Sequence, residues 1–247
     1  MDQNVVNVIR LYMKRLRIFQ QVKREQMDHG SLITIIKTIH LEDTLVNFVT
    51  QEHMLFSTPF WQTQVQGVDN ASIKEYCYHL MRNTKGVVIS NRGGWHSKEI
   101  LKPIPDALTF LVDQIHAYIN GYCSQITGIN DLAVGNLWVN INPTNTYNRR
   151  HDHQNAILSA VYYVDAEGKD IGDFVIERDD NMEFFAGKYK GSPTMQVALP
   201  ITPLTNFLFV LPAWTYHSVE PNMEKHDRIS IAINFVEKGQ PQQEYGK

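Results

Sequence analysis

The most constraining feature of this chain is a series of short apolar runs between residues 131 and 237. The runs are Leu137–Ile141, Leu158–Val164, Asp173–Glu177, Gln196–Leu199, Phe207–Leu211 and Arg228–Val236. Turn-forming pairs such as Asn142-Pro143, Glu167-Gly168 and Pro221-Asn222 separate them. Short runs bounded by such turns predict an antiparallel β-sandwich or barrel.

Residues 54–130 have a mixed pattern. A strand is predicted after Pro59, and the spacing of apolar residues predicts a helix over residues 71–83. The clearest amphipathic helix covers residues 105–126 and starts at Pro105, a residue favoured in the first turn of a helix. We expect both helices to pack outside the sheet.

Residues 1–53 are predicted to form a helical extension, because apolar and basic residues are interspersed over residues 1–28 and a second helix is predicted over 32–50. The basic residues form either the solvated face of an added helical layer or a surface for nucleic acid, a membrane or a partner protein. The predicted organisation is the extension at 1–53, a β-rich domain at 54–237 and a loose tail at 238–247. The predicted fold class is therefore mainly β with flanking helices.

Composition excludes several classes of protein. The chain has 247 residues, of which 43% are hydrophobic and 20% charged, and a formal net charge of −3. Those values are typical of a globular protein and argue against a general nucleic-acid binder. No apolar stretch approaches the length of a membrane span, and the N-terminus lacks the apolar core of a signal peptide, so we expect a soluble cytoplasmic protein. Cys77 and Cys123 lack the spacing of a zinc site.

A polar segment just before the strand at 157–164 contains His151, Asp152 and His153. In an extended chain, residues two apart point to the same face. The two histidines would therefore point to one spot while Asp152 points away. Two imidazoles arranged in this way form half of a metal site.

His217 is the predicted third ligand, because it follows the apolar strand at 207–211. Farther along, Arg228 opens the strand Arg228-Ile229-Ser230-Ile231-Ala232-Ile233-Asn234. Alternation places Arg228, Ser230 and Ala232 on one face. A buried arginine facing a cavity needs an anionic partner, and its planar guanidinium suits a carboxylate.

Three ligands on one face of an octahedral iron leave open positions for a chelating keto acid and for dioxygen. The usual protein ligands for this chemistry are two histidines and one carboxylate. Here His153 stands in the carboxylate's place.

Several stretches resemble a family of 2-oxoglutarate–iron(II) oxygenases found in bacteria and tailed phages. They are Ser90–Ser97 (SNRGGWHS), Trp138–Pro143 (WVNINP), His151-Asp152-His153, Leu158–Val164 (LSAVYYV), Phe209–Asn222 (FVLPAWTYHSVEPN) and Arg228–Phe235 (RISIAINF). The likeness runs in order from about Leu55 to Val236, so residues 1–53 fall outside it.

The resemblance implies a double-stranded β-helix (jelly-roll) core that uses Fe(II), 2-oxoglutarate and dioxygen. The implied activity is hydroxylation of a C–H bond in an unidentified substrate, with release of succinate and CO2. The pair Arg228 and Ser230 resembles the anchor of the keto acid, and Tyr163 and Asn140 are further candidates for contact with it. If the chain is phage-encoded, the expected location is the host cytoplasm.

Some alternatives stay open at the level of sequence. The third metal ligand is His153 or Asp152, and the cavity-facing tyrosine is Tyr162 or Tyr163. An all-histidine site also resembles that of cupin-type dioxygenases that need no 2-oxoglutarate, and a non-catalytic jelly-roll module is a third interpretation. A homodimer is the expected assembly. Trp138 and Trp214 are expected in the core, and the role of His96 is left open.

Overall fold

The computed structural model describes residues 57–239 except 101, 124–127, 130 and 180–195. It also describes three N-terminal strands: β1 (Arg17–Met27), β2 (Gly30–Leu41) and β3 (Thr44–Glu52). The chain divides into two compact units, Met1–Ser57 and Thr58–Lys247. The domain boundaries that the sequence indicates at residues 53 and 237 remain predictions.

The prediction of a helical extension is wrong over the described part of residues 1–53. Strands β1, β2 and β3 form an antiparallel sheet in that order, in which Met27 pairs with Gly30 and Leu41 with Thr44. The helices were predicted from the density of apolar residues, without regard to the type of those residues. The segment Ile33–Ile39 is rich in Ile and Thr, whose branched side chains are restricted at χ1 and favour the pleated surface of a sheet. Residues 1–16 lie outside the described residues.

The second unit contains eleven described strands and two α-helices. In chain order they are β4 (Trp61–Gln64), α1 (Asn70–Asn83), β5 (Asn91–Arg92), β6 (Trp95–His96), α2 (Asp106–Tyr118), β7 (Leu132–Asn142), β8 (Tyr147–His151), β9 (Leu158–Asp165), β10 (Phe174–Glu177), β11 (Ala198–Ile201), β12 (Phe207–Pro212), β13 (His217–Val219) and β14 (Arg228–Glu237). They form a six-stranded sheet, β4-β12-β9-β14-β7-β6, and a five-stranded sheet, β11-β10-β13-β8-β5. All of the pairings are antiparallel.

The helices cover one face of the six-stranded sheet. Apolar side chains of α1 and α2, among them Ile73, Leu111 and Ile115, belong to the same buried cluster as Ile229 and Ile231 of β14. The predicted helix at 71–83 is confirmed by α1. Helix α2 ends at Tyr118 and continues as a π-helical turn, Ile119–Cys123. Within the described residues, no helix is both long enough and apolar enough to span a membrane.

The opposite face of the six-stranded sheet looks onto the five-stranded sheet. Between the sheets lies a cavity of about 660 Å³, lined by residues of both. A small apolar cluster that includes Ile171, Phe174 and Phe209 packs beside the cavity. This is the predicted jelly-roll arrangement, and its two facing sheets determine which side chains meet in the site.

Candidate active site

The pairing of two short strands brings His151 and His217 together. His151 ends β8, His217 begins β13, and the two residues are direct partners in the antiparallel register. Their ring centroids lie 4.3 Å apart. Phe174 of β10 also stacks on the His217 ring, with centroids 5.1 Å apart.

His153 completes the cluster from the turn that follows β8. Its backbone N–H donates to the carbonyl of Ala213 over 2.8 Å, which fixes this turn against the loop before β13. Its ring centroid lies 5.1 Å from that of His151 and 5.2 Å from that of His217. One ring nitrogen from each of the three histidines lies within 4.8 Å of the others, a spacing that can hold one metal ion.

Asp152 does not join the three histidines. Its Oδ2 accepts a hydrogen bond from Gln154 Nε2 at 3.1 Å, and its carboxylate is not part of the ligand group. Of the two alternatives for the third ligand, the structure therefore brings His153 to the cluster and leaves Asp152 outside it.

The hydrogen bonds of two histidines prepare them for metal binding. Nδ1 of His151 lies 2.7 Å from the Arg149 carbonyl, and Nδ1 of His217 lies 3.0 Å from the Thr215 carbonyl. A carbonyl can only accept, so each Nδ1 carries the proton and Nε2 keeps its lone pair. Metal-bound histidines commonly donate in this way from the nitrogen that does not bind the metal.

Burial keeps the cluster neutral. Removal from water lowers the pKa of His217 to about 3, with the neighbouring His151 adding to the effect. Burial also lowers the pKa of His151, and it lowers that of His153 well below the ordinary value, with His217 and His151 contributing further. Neutral imidazole is the form that binds a metal, so the site needs no deprotonation near pH 7.

Arg228 lies in the same cavity and is buried with an unused hydrogen-bonding edge. Its Nη1 donates to the carbonyls of Ile171, Gly172 and Glu220. Its Nη2 is buried with no partner. No carboxylate of the described residues forms a salt bridge with it. A buried guanidinium in this condition is a site for an anion that the protein does not supply.

Gly172 allows the main chain to approach Arg228 closely. Its φ is +84°, and a Cβ there would lie 2.4 Å from the Glu220 carbonyl oxygen and 2.7 Å from Arg228 Nη1. A larger residue would therefore collide with the groups that hold the guanidinium.

The other predicted co-substrate contacts lie in one row across the six-stranded sheet. In the strand register, Ser230 of β14 is opposite Tyr163 of β9 and Asn140 of β7, and Asn140 is opposite His96 of β6. All four line the cavity. Cross-strand partners point to the same face, so the row is a direct result of register.

The two adjacent tyrosines of β9 point to opposite faces. The hydroxyl of Tyr162 donates to Asn70 Oδ1 at 2.9 Å and packs on the helix side. Tyr163 lines the cavity, where burial raises the pKa of its hydroxyl and the charge of Arg228 opposes that rise. The structure thus places Tyr163 beside the predicted anion site.

Sequence reasoning missed or misplaced several residues around the site. Trp138, expected in the core, lines the cavity between His96 and His153, with ring centroids 5.6 Å from each. Trp214, also expected in the core, is 59% exposed. Asn234 was not singled out, yet its amide lies 3.4 Å from His153 Nδ1. Alternation along β14 would have indicated Asn234, because it lies on the same face of the strand as Arg228.

Part of the chain matches a known sequence family. Residues 136–234 match the sequence family described as "Putative 2OG-Fe(II) oxygenase". That stretch contains all of the predicted site residues. The resemblance to the 2-oxoglutarate–iron(II) oxygenases is confirmed. The sequence has no significant match among proteins of curated function.

Several solved structures have a fold similar to that of this chain. A Pseudomonas putida prolyl-4-hydroxylase is 18% identical, with a TM-score of 0.53 over 75% of this chain and 96% of that one. A Trichoplax adhaerens prolyl hydroxylase, solved with a peptide fragment of hypoxia inducible factor, is 14% identical, with a TM-score of 0.53 over 72% and 84%. HygX from Streptomyces hygroscopicus, solved with nickel and 2-oxoglutarate, is 10% identical, with a TM-score of 0.52 over 76% and 86%. At these identities the likeness shows the shared double-stranded β-helix fold.

Proposed function

We propose that this protein is a 2-oxoglutarate- and Fe(II)-dependent dioxygenase that hydroxylates a C–H bond, with His151, His153 and His217 as the metal ligands. When bound, the iron and its co-substrate supply the oxidation by dioxygen that yields hydroxylated product, succinate and CO2. The observation that carries the proposal is the pairing, in one cavity, of three neutral histidines with a buried arginine that has an unpaired donor.

The histidines would hold the metal without neutralising it. A carboxylate in the usual triad brings one negative charge to Fe(II), whereas three neutral imidazoles bring none. 2-Oxoglutarate is a dianion near pH 7, so its binding would offset the remaining charge. The charge left on the metal therefore favours a dianionic chelator in the cavity over a neutral one.

Arg228 would bind the far carboxylate of 2-oxoglutarate. Its Nη1 is already held by three carbonyls, which fixes the guanidinium plane before the ligand arrives. Its Nη2 would then donate to the carboxylate, and the hydroxyls of Ser230 and Tyr163 and the amide of Asn140 would orient the rest of the molecule. A preorganised donor of this kind loses little entropy on binding.

The proposal is tested by supplying the purified protein with Fe(II), 2-oxoglutarate and dioxygen and measuring succinate formation and oxygen uptake. We expect slow succinate formation even without the true substrate, dependent on both Fe(II) and 2-oxoglutarate. Oxygen uptake that does not require 2-oxoglutarate would instead support the alternative of a cupin-like iron dioxygenase, which also has an all-histidine metal site. No turnover together with metal binding would support a non-catalytic jelly-roll module.

Finer features belong to the same proposal. We propose a cytoplasmic location, in the host cytoplasm if the gene is carried by a phage, and a homodimeric assembly without nucleic acid or membrane as partners. The domain limits 1–53, 54–237 and 238–247 are part of it. Size-exclusion chromatography with light scattering tests the dimer, and limited proteolysis tests the boundary near residue 53.

A further inference from the structure

His153 differs from the other two histidines in the partner of its Nδ1 atom. His151 and His217 direct Nδ1 to main-chain carbonyls, which fix the proton on that nitrogen. The partner of His153 Nδ1 is the side-chain amide of Asn234, whose nitrogen lies 3.4 Å away. A main-chain carbonyl can only accept, whereas an amide side chain can either donate or accept.

The placement of that amide leaves hydrogen bonds unmade. Asn234 Oδ1 is buried without a donor, and so is Oδ1 of Asn136, the residue directly opposite on β7. The oxygen and nitrogen of an amide have nearly the same shape and exchange places by a half-turn about the last side-chain torsion. After that half-turn, Asn234 Oδ1 faces His153 Nδ1, and its amide nitrogen becomes available to an acceptor such as Asn136 Oδ1.

We propose that Asn234 is the positioning residue that makes His153 a metal ligand, by accepting a hydrogen bond from Nδ1–H through its Oδ1. The proton is thereby held on Nδ1, and Nε2 presents its lone pair to the metal. The opposite arrangement, with the amide donating to Nδ1, puts the proton on Nε2 and removes His153 from the ligand set. This inference rests on the proposed metal centre.

The strand geometry gives Asn234 a fixed position for this role. It lies on β14 between β7 and β9, opposite Asn136 and Ser159, directly before a register shift in the pairing with β7, and is 2% exposed. A residue on a central strand changes position less than one in a loop. Asn234 therefore does from the six-stranded sheet what the carbonyls of Arg149, in β8, and Thr215, in the loop before β13, do for His151 and His217.

The first test measures Co(II) binding to the metal-free protein by titration calorimetry. Asn234→Leu keeps the branched shape of the side chain but removes the acceptor, and it is expected to weaken binding by roughly 10- to 100-fold, the usual cost of losing such a partner. Asn234→Asp supplies a group that only accepts and is expected to bind Co(II) at least as tightly as the wild type. The matched control is Ser159→Ala, which alters the residue opposite Asn234 and is expected to leave Co(II) affinity unchanged.

The second test reads the proton directly by long-range ¹H–¹⁵N NMR of the metal-free protein labelled at histidine, with His153→Gln used to assign the signals. We expect the Nδ1–H form of His153 in the wild type and in Asn234→Asp. The Nε2–H form in the wild type, or unchanged Co(II) affinity in a folded Asn234→Leu, would overturn the inference. If the wild type bound no Co(II), the proposed metal centre would fail, and the NMR result alone would decide the role of Asn234.

Discussion

The two sheets of the second unit contribute differently to the candidate site. The five-stranded sheet carries His151 and His217 on β8 and β13, strands of five and three residues. The six-stranded sheet carries Arg228, Ser230, Tyr163 and Asn140 on β14, β9 and β7, strands of ten, eight and eleven residues. The metal half therefore depends on turns and local carbonyls, and the co-substrate half depends on the register of long strands.

This difference implies that the two halves can be disabled separately. A change in the five-stranded sheet should remove the metal while the arginine pocket stays intact. A change at Arg228 or Tyr163, in the co-substrate half of the six-stranded sheet, should weaken 2-oxoglutarate binding while the metal still binds.

The largest effect is expected from His217→Ala. One ligand of a four-ligand zinc site accounts for roughly 3 kcal/mol of binding free energy, so Co(II) affinity should fall by about 100-fold or more. Succinate formation should be lost as well. His79→Ala, at an exposed position of α1, is the control and should bind Co(II) like the wild type. Retained turnover of 2-oxoglutarate in His217→Ala would show that the ligand set is wrong.

Arg228→Ala should affect the other half. Truncation of one partner of a buried charge pair costs about 2–5 kcal/mol, so the KM for 2-oxoglutarate should rise by at least roughly 30-fold. Co(II) affinity without 2-oxoglutarate should change little. Arg82→Ala, at the exposed end of α1, is the control. An unchanged KM would mean that the co-substrate carboxylate binds elsewhere.

Low pH should destabilise the metal-free protein through the buried histidines of the metal half. His217 stays neutral in the folded protein because burial lowers its pKa to about 3, whereas an unfolded histidine takes up a proton near pH 6.5. The unfolded state therefore binds more protons between these values, and stability falls as the pH falls. Between pH 7 and pH 5.5 the loss should be about 1 kcal/mol for each such histidine. Urea unfolding at both pH values should show a smaller loss in His217→Gln, and an equal loss would contradict the assignment.

The smallest effect is expected from substitution of the two neighbouring tyrosines of β9. Tyr163→Phe should raise the KM for 2-oxoglutarate by several-fold, since one hydrogen bond contributes about 1 kcal/mol. Tyr162→Phe removes the bonds to Asn70 and Asn206 on the other face and should lower thermal stability without changing that KM. The reverse pattern would place the pocket on the wrong face of β9.

The same contrast explains how much could be predicted from sequence. Alternation along β14 predicted that Arg228 and Ser230 share a face, because a long strand repeats its pattern many times. The spacing of His151 and His153 predicted their convergence. Neither pattern could decide between Tyr162 and Tyr163, because both faces of β9 are buried. The strands at residues 17–52 were predicted as helices because the density of apolar residues does not distinguish the repeat of a helix from that of a strand.

Other site residues depended on contacts distant in sequence. His96 reaches the cavity only through the pairing of β6 with β7, and its two-residue strand carries too little pattern to predict that pairing. Trp138 faces the cavity because β7 is covered by helices on its other side. Asn234 could have been found by counting along β14, but its relation to His153 required the fold.

The most direct test of the account is a crystal structure of the protein with Co(II) and 2-oxoglutarate, with the metal located by its anomalous scattering. We expect one metal ion bound by Nε2 of His151, His153 and His217, with 2-oxoglutarate chelating it and its far carboxylate bonded to Arg228. A metal bound by Asp152 instead of His153, or 2-oxoglutarate lying away from Arg228, would contradict the account.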